Sequence, residues 1–256
     1  MPCNEQNHTA MAKRIIIIGA SSGIGERIAL DLARAGMLVG IAARREDKLK
    51  AISELVPDKI VYKTIDVTAD NAQELFYDLI KMRDGMDILL FAAGCGYQDP
   101  DLNPEQVTET LRINVVGFAR IMTAAFKYFR DTANVAAGHI AAITSIAGTK
   151  GMGLSAAYSS SKRFQQTFIN ALEQLAYTKH VNVRFTDIRP GFIRTALLDP
   201  KRSYPMEMSI DYTCPKIERA ILTGRRVAYI DSRWRIVNGL WRMIPQCLWK
   251  HISLGL

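Results

Sequence analysis

Apolar runs rich in β-branched residues recur along the chain: RIIIIGA (14–20), MLVGIAA (37–43), KIVYKTIDV (59–67), DILLFAAG (87–94), HIAAITS (139–145), VRFTDIRPG (183–191) and RVAYID (226–231). A strand buried on both faces of a parallel sheet reads as such a run, without the strict alternation of a half-exposed strand. Between the runs lie amphipathic stretches, among them GERIALDLARAG, NAQELFYDLIKM and the long segment from Ala156 to Tyr177. This alternation of strand and helix predicts an α/β protein with a doubly wound parallel sheet of about seven strands and helices on both faces. Ligands of such sheets bind at the carboxyl ends of the strands.

At 256 residues and 48% apolar, the chain can bury one large core. No repeat, low-complexity block or Pro/Gly/Ser-rich linker interrupts it, so residues 12–256 read as a single domain after a flexible segment at 1–11. That segment, MPCNEQNHTA followed by Met11, lacks a signal-peptide pattern, and either Met1 or Met11 serves as a start. Cys3, Cys95, Cys214 and Cys247 are far apart, as are His8, His139, His180 and His251. The spacing argues for reduced thiols in a cytoplasmic protein and against a metal site. The net charge is +8, but +6 of it falls between Lys216 and Leu256, leaving the rest nearly neutral. Nucleic-acid binding therefore rests on tail charge alone.

The first strand leads through Gly19-Ala20-Ser21-Ser22-Gly23-Ile24-Gly25 into a helix. Glycines at these places permit a tight turn and let backbone amides approach a pyrophosphate at a helix N-terminus. The sheet is thus Rossmann-type and the turn a dinucleotide site. At the end of the second strand, where an acid would meet the ribose 2′-hydroxyl of NAD, stand Arg44 and Arg45. Arginine suits a 2′-phosphate, so NADP(H) is favoured over NAD(H).

Tyr-x-x-x-Lys occurs three times, at Tyr77/Lys81, Tyr158/Lys162 and Tyr212/Lys216. Pro215 separates the last pair and argues against one continuous helical face there. Tyr77 and Lys81 fall within an amphipathic helix and read as its surface. Tyr158 and Lys162 begin a helix one turn apart, after a strand ending in Thr144-Ser145. Hydroxyl, phenol and ammonium can converge there, and a nearby cation favours the phenolate.

With these residues in place, the chain resembles the short-chain dehydrogenase/reductase superfamily, in its compact single-domain branch, over about residues 12–231. The resemblance rests on the Gly-rich turn, Asp66-Val67, Ala93-Gly94, Asn114-Val115-Val116-Gly117, Ser145, Tyr158, Lys162 and Pro190-Gly191. It implies that Ser145 bonds the substrate oxygen, Tyr158 transfers the proton, and Lys162 tunes Tyr158 and holds the nicotinamide ribose. Asn114 would anchor a water in the proton relay. Asp66 and Val67 would border the adenine, with Ala93 and Gly94 near the adenosine ribose. Pro190, Gly191 and Ile193 would line the nicotinamide, with Thr195 near its carboxamide. Relatives are usually homodimers or homotetramers. Two departures stand out: Phe91-Ala92-Ala93-Gly94 replaces the usual Asn-Asn-Ala-Gly, and Ile18 replaces a common threonine.

Residues 195–215 carry three prolines with Leu197, Leu198, Tyr204, Met206 and Met208, and are expected to form an apolar lid. Residues 232–256 are expected to form an amphipathic helical tail, with Trp234, Val237, Trp241, Ile244 and Leu248 as its apolar stripe. That stripe packs on protein or lies peripherally on an anionic membrane. The expected function is NADP(H)-dependent interconversion of an apolar secondary alcohol and its carbonyl compound. The competing expectation is a non-enzymatic NADP-binding regulator that docks through the tail.

Overall fold

The computed structural model describes residues 12–132, 137–198 and 202–252. All seven expected strands are present: β1 (Arg14–Ile18), β2 (Leu38–Ala43), β3 (Ile60–Thr64), β4 (Ile88–Phe91), β5 (Gly138–Ile143), β6 (Val183–Arg189) and β7 (Val227–Tyr229). They form one parallel sheet in the order β3-β2-β1-β4-β5-β6-β7. The order reverses between β1 and β4, which pair from Ile15↔Ile88 to Ile18↔Phe91. A crevice must open at that switch point.

Because successive side chains of a strand point to opposite faces, the isoleucine run of β1 serves two cores. Ile16 and Ile18 pack with α3 (Ala72–Met82), α5 (Phe118–Asp131) and α6 (Ala156–Thr178) on one face. Ile15 and Ile17 pack with α1 (Gly23–Arg34), α2 (Glu46–Leu55) and α7 (Ile210–Thr223) on the other. The helix α4 (Pro104–Leu111) runs into α5 through a π-helical turn at Arg112–Gly117. Among the described residues, no helix is long and apolar enough to cross a membrane.

The chain continues into α8 (Ser232–Met243) and a short α9 (Gln246–Trp249), interrupted at Ile244-Pro245. Trp234 is buried and packs with Phe192, Met208 and Ile193, while Trp241 meets Trp234 and Trp249 edge to face at 6.4 and 5.6 Å. Of the expected tail stripe, Leu248 alone is exposed; the rest faces protein. Residues 253–256 of that tail lie outside the described residues.

Two sequence expectations need correction. The helix α7 begins at Ile210 and runs through Pro215, so the irregular segment ends before residue 215. The proline sits early in the helix, where it forfeits one bond, to the Asp211 carbonyl. Ser209 secures that start by accepting from Tyr212 N at 3.2 Å. Tyr212 and Lys216 do share a face: the ammonium lies 3.4 Å from the ring centroid, a cation–π pair on an exposed surface. Tyr77, read as surface, instead packs against one core and donates to the Ala124 carbonyl at 3.2 Å.

Candidate active site

A cleft of about 870 Å³ opens at the switch point. Its walls bring together every cofactor residue expected from sequence: Gly19, Ser21 to Gly25, Arg44, Arg45, Asp66, Val67, Ala93, Gly94, Tyr158, Lys162, Pro190, Gly191, Ile193 and Thr195. Ser145 lines it too. Asn114 does not; it is wholly buried behind the wall.

The Gly-rich turn is shaped by backbone approach. Gly19 has φ +91°, and a β-carbon there would stand 2.4 Å from Ala93 N. At Gly25 it would stand 2.3 Å from the Gly19 carbonyl oxygen. Strand end, turn and helix start are therefore pressed together. Ser22, the residue preceding α1, makes no side-chain cap, which leaves the first amides of that helix facing the cleft. Uncapped amides at a helix N-terminus suit a phosphate. Arg45 donates to Ser22 Oγ at 2.8 Å and Ser21 Oγ at 2.9 Å, holding a guanidinium over the same turn. Arg44 is drawn the other way, 3.9 Å from Glu109. These groups fit a dinucleotide with its phosphates against α1. Asp66 accepts from Thr68 N and Oγ1 at 2.9 and 2.8 Å, so its carboxylate is turned into its own loop. In place of the first missing asparagine Phe91 is buried edge-on to Phe118 at 5.0 Å, with Ile18 paired beside it in the sheet, and in place of the second Ala92 lines the cleft.

At the other end, Ser145 follows β5 in extended conformation and its Oγ accepts from Ala147 N at 3.1 Å. Gln166 fixes the Ser145 carbonyl at 2.7 Å. The Ser145 side chain acts on the phenol of Tyr158, in the first turn of α6, and favours its charged form. Lys162, one turn on, lies 5.6 Å from the Tyr158 ring centroid and donates to the Ile143 carbonyl and Gln165 Oε1, each at 3.1 Å. Serine, tyrosine and lysine thus converge on one wall, as their spacing predicted.

Their electrostatics differ from the charge-pair expectation. Burial pushes the Tyr158 phenol up to about 12 against the opposing effect of Ser145. Burial likewise lowers Lys162 to about 8. Desolvation outweighs attraction because the ammonium spends its hydrogen bonds on a backbone carbonyl and an amide rather than on the phenol.

Asn114 was expected to anchor a water. Its Nδ2 donates to the Cys95 carbonyl at 2.7 Å and Ser161 Oγ at 3.0 Å, and its Oδ1 accepts from Cys95 N at 3.0 Å. Its side chain ties the segment after β4 to α6.

Sequence reasoning missed a buried polar chain behind Ser145. Thr144 donates to Asp187 at 2.5 Å, and Arg189 pairs with Asp187, also at 2.5 Å. Arg189 reaches Tyr229 at 3.2 Å, Tyr229 donates to Asn238 at 2.9 Å, and Asn238 closes on Thr149. The tail helix α8 is thereby bonded to the turn that carries Ser145. Local sequence holds no signal for this, since partners come from the segment after β5, from β6 and β7, and from α8.

The substrate side is more apolar. Met152, Phe192, Leu197, Leu198 and Ile210 line it, and Phe192 packs on Tyr204 at 5.1 Å and Trp234 at 5.6 Å. Of the expected lid, residues 199–201 lie outside the described residues.

Fold and cleft together define a class, the dinucleotide-binding α/β proteins with a polar site at the switch point. The particular family follows from comparison. A family model described as short chain dehydrogenase matches residues 13–205, and the chain belongs to that family of oxidoreductases. An uncharacterized oxidoreductase of Myxococcus xanthus is 32% identical over 197 residues, 75% of this chain and 76% of that one. A farnesol dehydrogenase of Aedes aegypti is 30% identical over 196 residues, 73% of this chain and 79% of that one. The structure of an alcohol dehydrogenase from Thermococcus sibiricus, complexed with 5-hydroxy-NADP, superposes with a TM-score of 0.72 at 25% identity. That match covers 85% of this chain and 94% of the other. Other proteins of this fold carry NADP in some structures and NAD in others.

Proposed function

We propose that this protein is an NADP(H)-dependent oxidoreductase that interconverts an apolar secondary alcohol and its carbonyl compound. The observation that carries the reading is the convergence of Ser145, Tyr158 and Lys162 on one wall of a cleft whose other end is a phosphate-ready helix start. When bound, the nicotinamide supplies or accepts the hydride. Gly19 to Gly25 and the first turn of α1 hold the pyrophosphate, and Arg45 with Arg44 meets the 2′-phosphate. Lys162 holds the nicotinamide ribose.

Ser145 Oγ bonds the substrate oxygen and fixes its distance from the Tyr158 hydroxyl. Tyr158 delivers its proton to that oxygen in reduction and withdraws one in oxidation. A phenol pushed up to about 12 is protonated at neutral pH, which suits the donor role. Met152, Phe192, Leu197 and Leu198 exclude water from the carbonyl and favour an apolar substrate. The farnesol dehydrogenase among the relatives is in line with that choice.

The Tyr158→Phe protein tests the reading. It keeps the ring and its packing, so NADPH binding persists while turnover on a panel of isoprenoid, steroid and fatty-acyl carbonyls falls by about 10²-fold or more. Turnover that survives the substitution rules Tyr158 out as the proton carrier.

A further inference from the structure

We propose that Gln165 is a positioning residue for the reaction, its single amide clamping the Lys162 ammonium to the backbone carbonyl of Asn114. The inference rests on the reading of Lys162 given above and deepens it.

Gln165 is completely buried and does not line the cleft. It lies on α6, the helix that also sends Ile169 and Leu172 into the core. A burial of that kind is the place for another apolar side chain, and an amide is costly there unless all its polar atoms are used. Gln165 uses them at both ends. Oε1 accepts from Lys162 Nζ at 3.1 Å, and Nε2 donates to the Asn114 carbonyl at 3.0 Å. An ammonium can only donate and a carbonyl can only accept, so the two neighbours together dictate which way the amide faces. Asn114 belongs to the π-helical turn, a departure from regular helix that commonly marks functional sites.

The clamp leaves Lys162 little freedom. Its ammonium is held by Gln165 from one side and by the Ile143 carbonyl, at the end of β5, from another. The charged or titratable groups around it are Tyr158 on its own helix, Cys95 from the segment after β4, and Asp187 on β6. Burial lowers the ammonium while Cys95 and Asp187 raise it. Asp187 is already paired with Arg189, so the cation is stabilised directly by two oxygens at 3.1 Å, the Ile143 carbonyl and the Gln165 amide, of which the amide is the one a side-chain substitution removes.

The experiment follows Lys162 itself. The whole protein is labelled with ¹³Cε-lysine, and the Lys162 resonance is assigned by its loss in Lys162→Met. Gln165→Met keeps the shape but removes acceptor and donor. It is expected to lower the Lys162 titration midpoint by about one pH unit, a tenfold change in the protonation equilibrium. Gln165→Glu restores an acceptor and adds charge, moving the midpoint upward. Opposite shifts in the two variants support the clamp, because a purely structural residue has no reason to change sign. An unmoved midpoint, or shifts in the same direction, overturns it. Should Gln165→Met fail to fold, Gln165→Glu decides alone: upward supports, unmoved or downward overturns. The titration needs no substrate. An active Tyr158→Phe protein therefore overturns the catalytic reading without touching this result, whereas an unmoved midpoint overturns the role of Gln165 alone.

Discussion

Gly96 lies against the ring of Tyr158 so closely that a β-carbon there would stand 2.3 Å from the ring's Cδ2 and 2.8 Å from its Cγ. The contact is with the root of the ring rather than its hydroxyl end, and α6 fixes that root from behind. Gly96→Ala therefore has to tilt the phenol away from Ser145 or push back the segment after β4. A displacement of about 1 Å at a reacting group can lower turnover on the order of 10²-fold. We expect that loss in NADPH-oxidation assays, with Kd for NADPH little changed, since Gly19 to Gly25 are untouched. Full activity in the alanine variant contradicts the Tyr158 geometry.

How far the sequence disclosed this site depends on the range over which each signal acts. The isoleucine run of β1, the glycines at 19, 23 and 25, and the Tyr158/Lys162 spacing are local, and the structure places them as read. Pro215 misled because tertiary packing overrides it: Ser209 caps the helix start, and Thr213, Cys214 and Ile217 are buried on both sides of the proline, which spacing alone does not disclose. Gln165 and the chain from Asp187 to Asn238 were invisible for another reason: their meaning lies in partners on other elements. The direction of the Tyr158 shift was missed because charge proximity is readable from spacing, while desolvation is a property of the packed whole.

His139, on β5, supplies a pH dependence of stability. Burial first, then the positive charges of Arg184 and Lys13, lower it from 6.5 to about 4. Its Nε2 pairs with Thr186 Oγ1 at 2.8 Å and the ring is almost inaccessible. The folded state thus holds the neutral ring, while the unfolded chain takes up a proton below about 6.5. Stability is full above that pH and falls as the pH drops towards 4, by up to about 3 kcal/mol from this group. Urea unfolding between pH 4 and 7 measures the slope, and His139→Val should flatten it. An equal slope in the variant assigns the effect elsewhere.

Arg45, more than Arg44, should decide between the two nicotinamide dinucleotides. Arg45 is already drawn over the turn by Ser21 and Ser22, whereas Arg44 leans towards Glu109. A hydrogen bond to a charged group contributes roughly 1.5–3 kcal/mol, so Arg45→Ala is expected to weaken NADP binding about 10- to 100-fold. NAD, lacking the 2′-phosphate, should bind nearly as before. Arg44→Asp adds a repelling carboxylate and moves preference towards NAD. Titration calorimetry with both nucleotides checks the ranking; equal losses for NADP and NAD in Arg45→Ala remove the residue from cofactor choice.

The tail presents the last expectation. With Trp234, Val237 and Trp241 turned inward, a second row on α8, Ile236, Leu240 and Met243, is left exposed at 66%, 59% and 80%. The tail also carries Arg235, Arg242 and Lys250, whereas Arg233 is paired with Asp231 at 2.5 Å, and residues 232–252 contain no acid. In a twofold contact between copies this face would set like charges against each other. An anionic lipid surface instead offers about 1 kcal/mol for each nearby lysine or arginine and takes up the apolar row. The same tail is bonded to the loop beside the cleft, through Lys150 to the Ile244 carbonyl and Trp249 to the Gly151 carbonyl, each at 2.7 Å. A lipid surface there would lie next to the apolar end of the cleft. The protein is therefore expected to sediment with phosphatidylglycerol-containing vesicles at low salt and not with pure phosphatidylcholine. The combined change Ile236→Ser, Leu240→Ser and Met243→Ser should abolish that binding while leaving turnover on soluble substrates intact. Retained binding in the triple variant, or a concentration-dependent dimer that the same changes dissolve, sinks the lipid reading, the second outcome by showing that another copy of the chain covers this face.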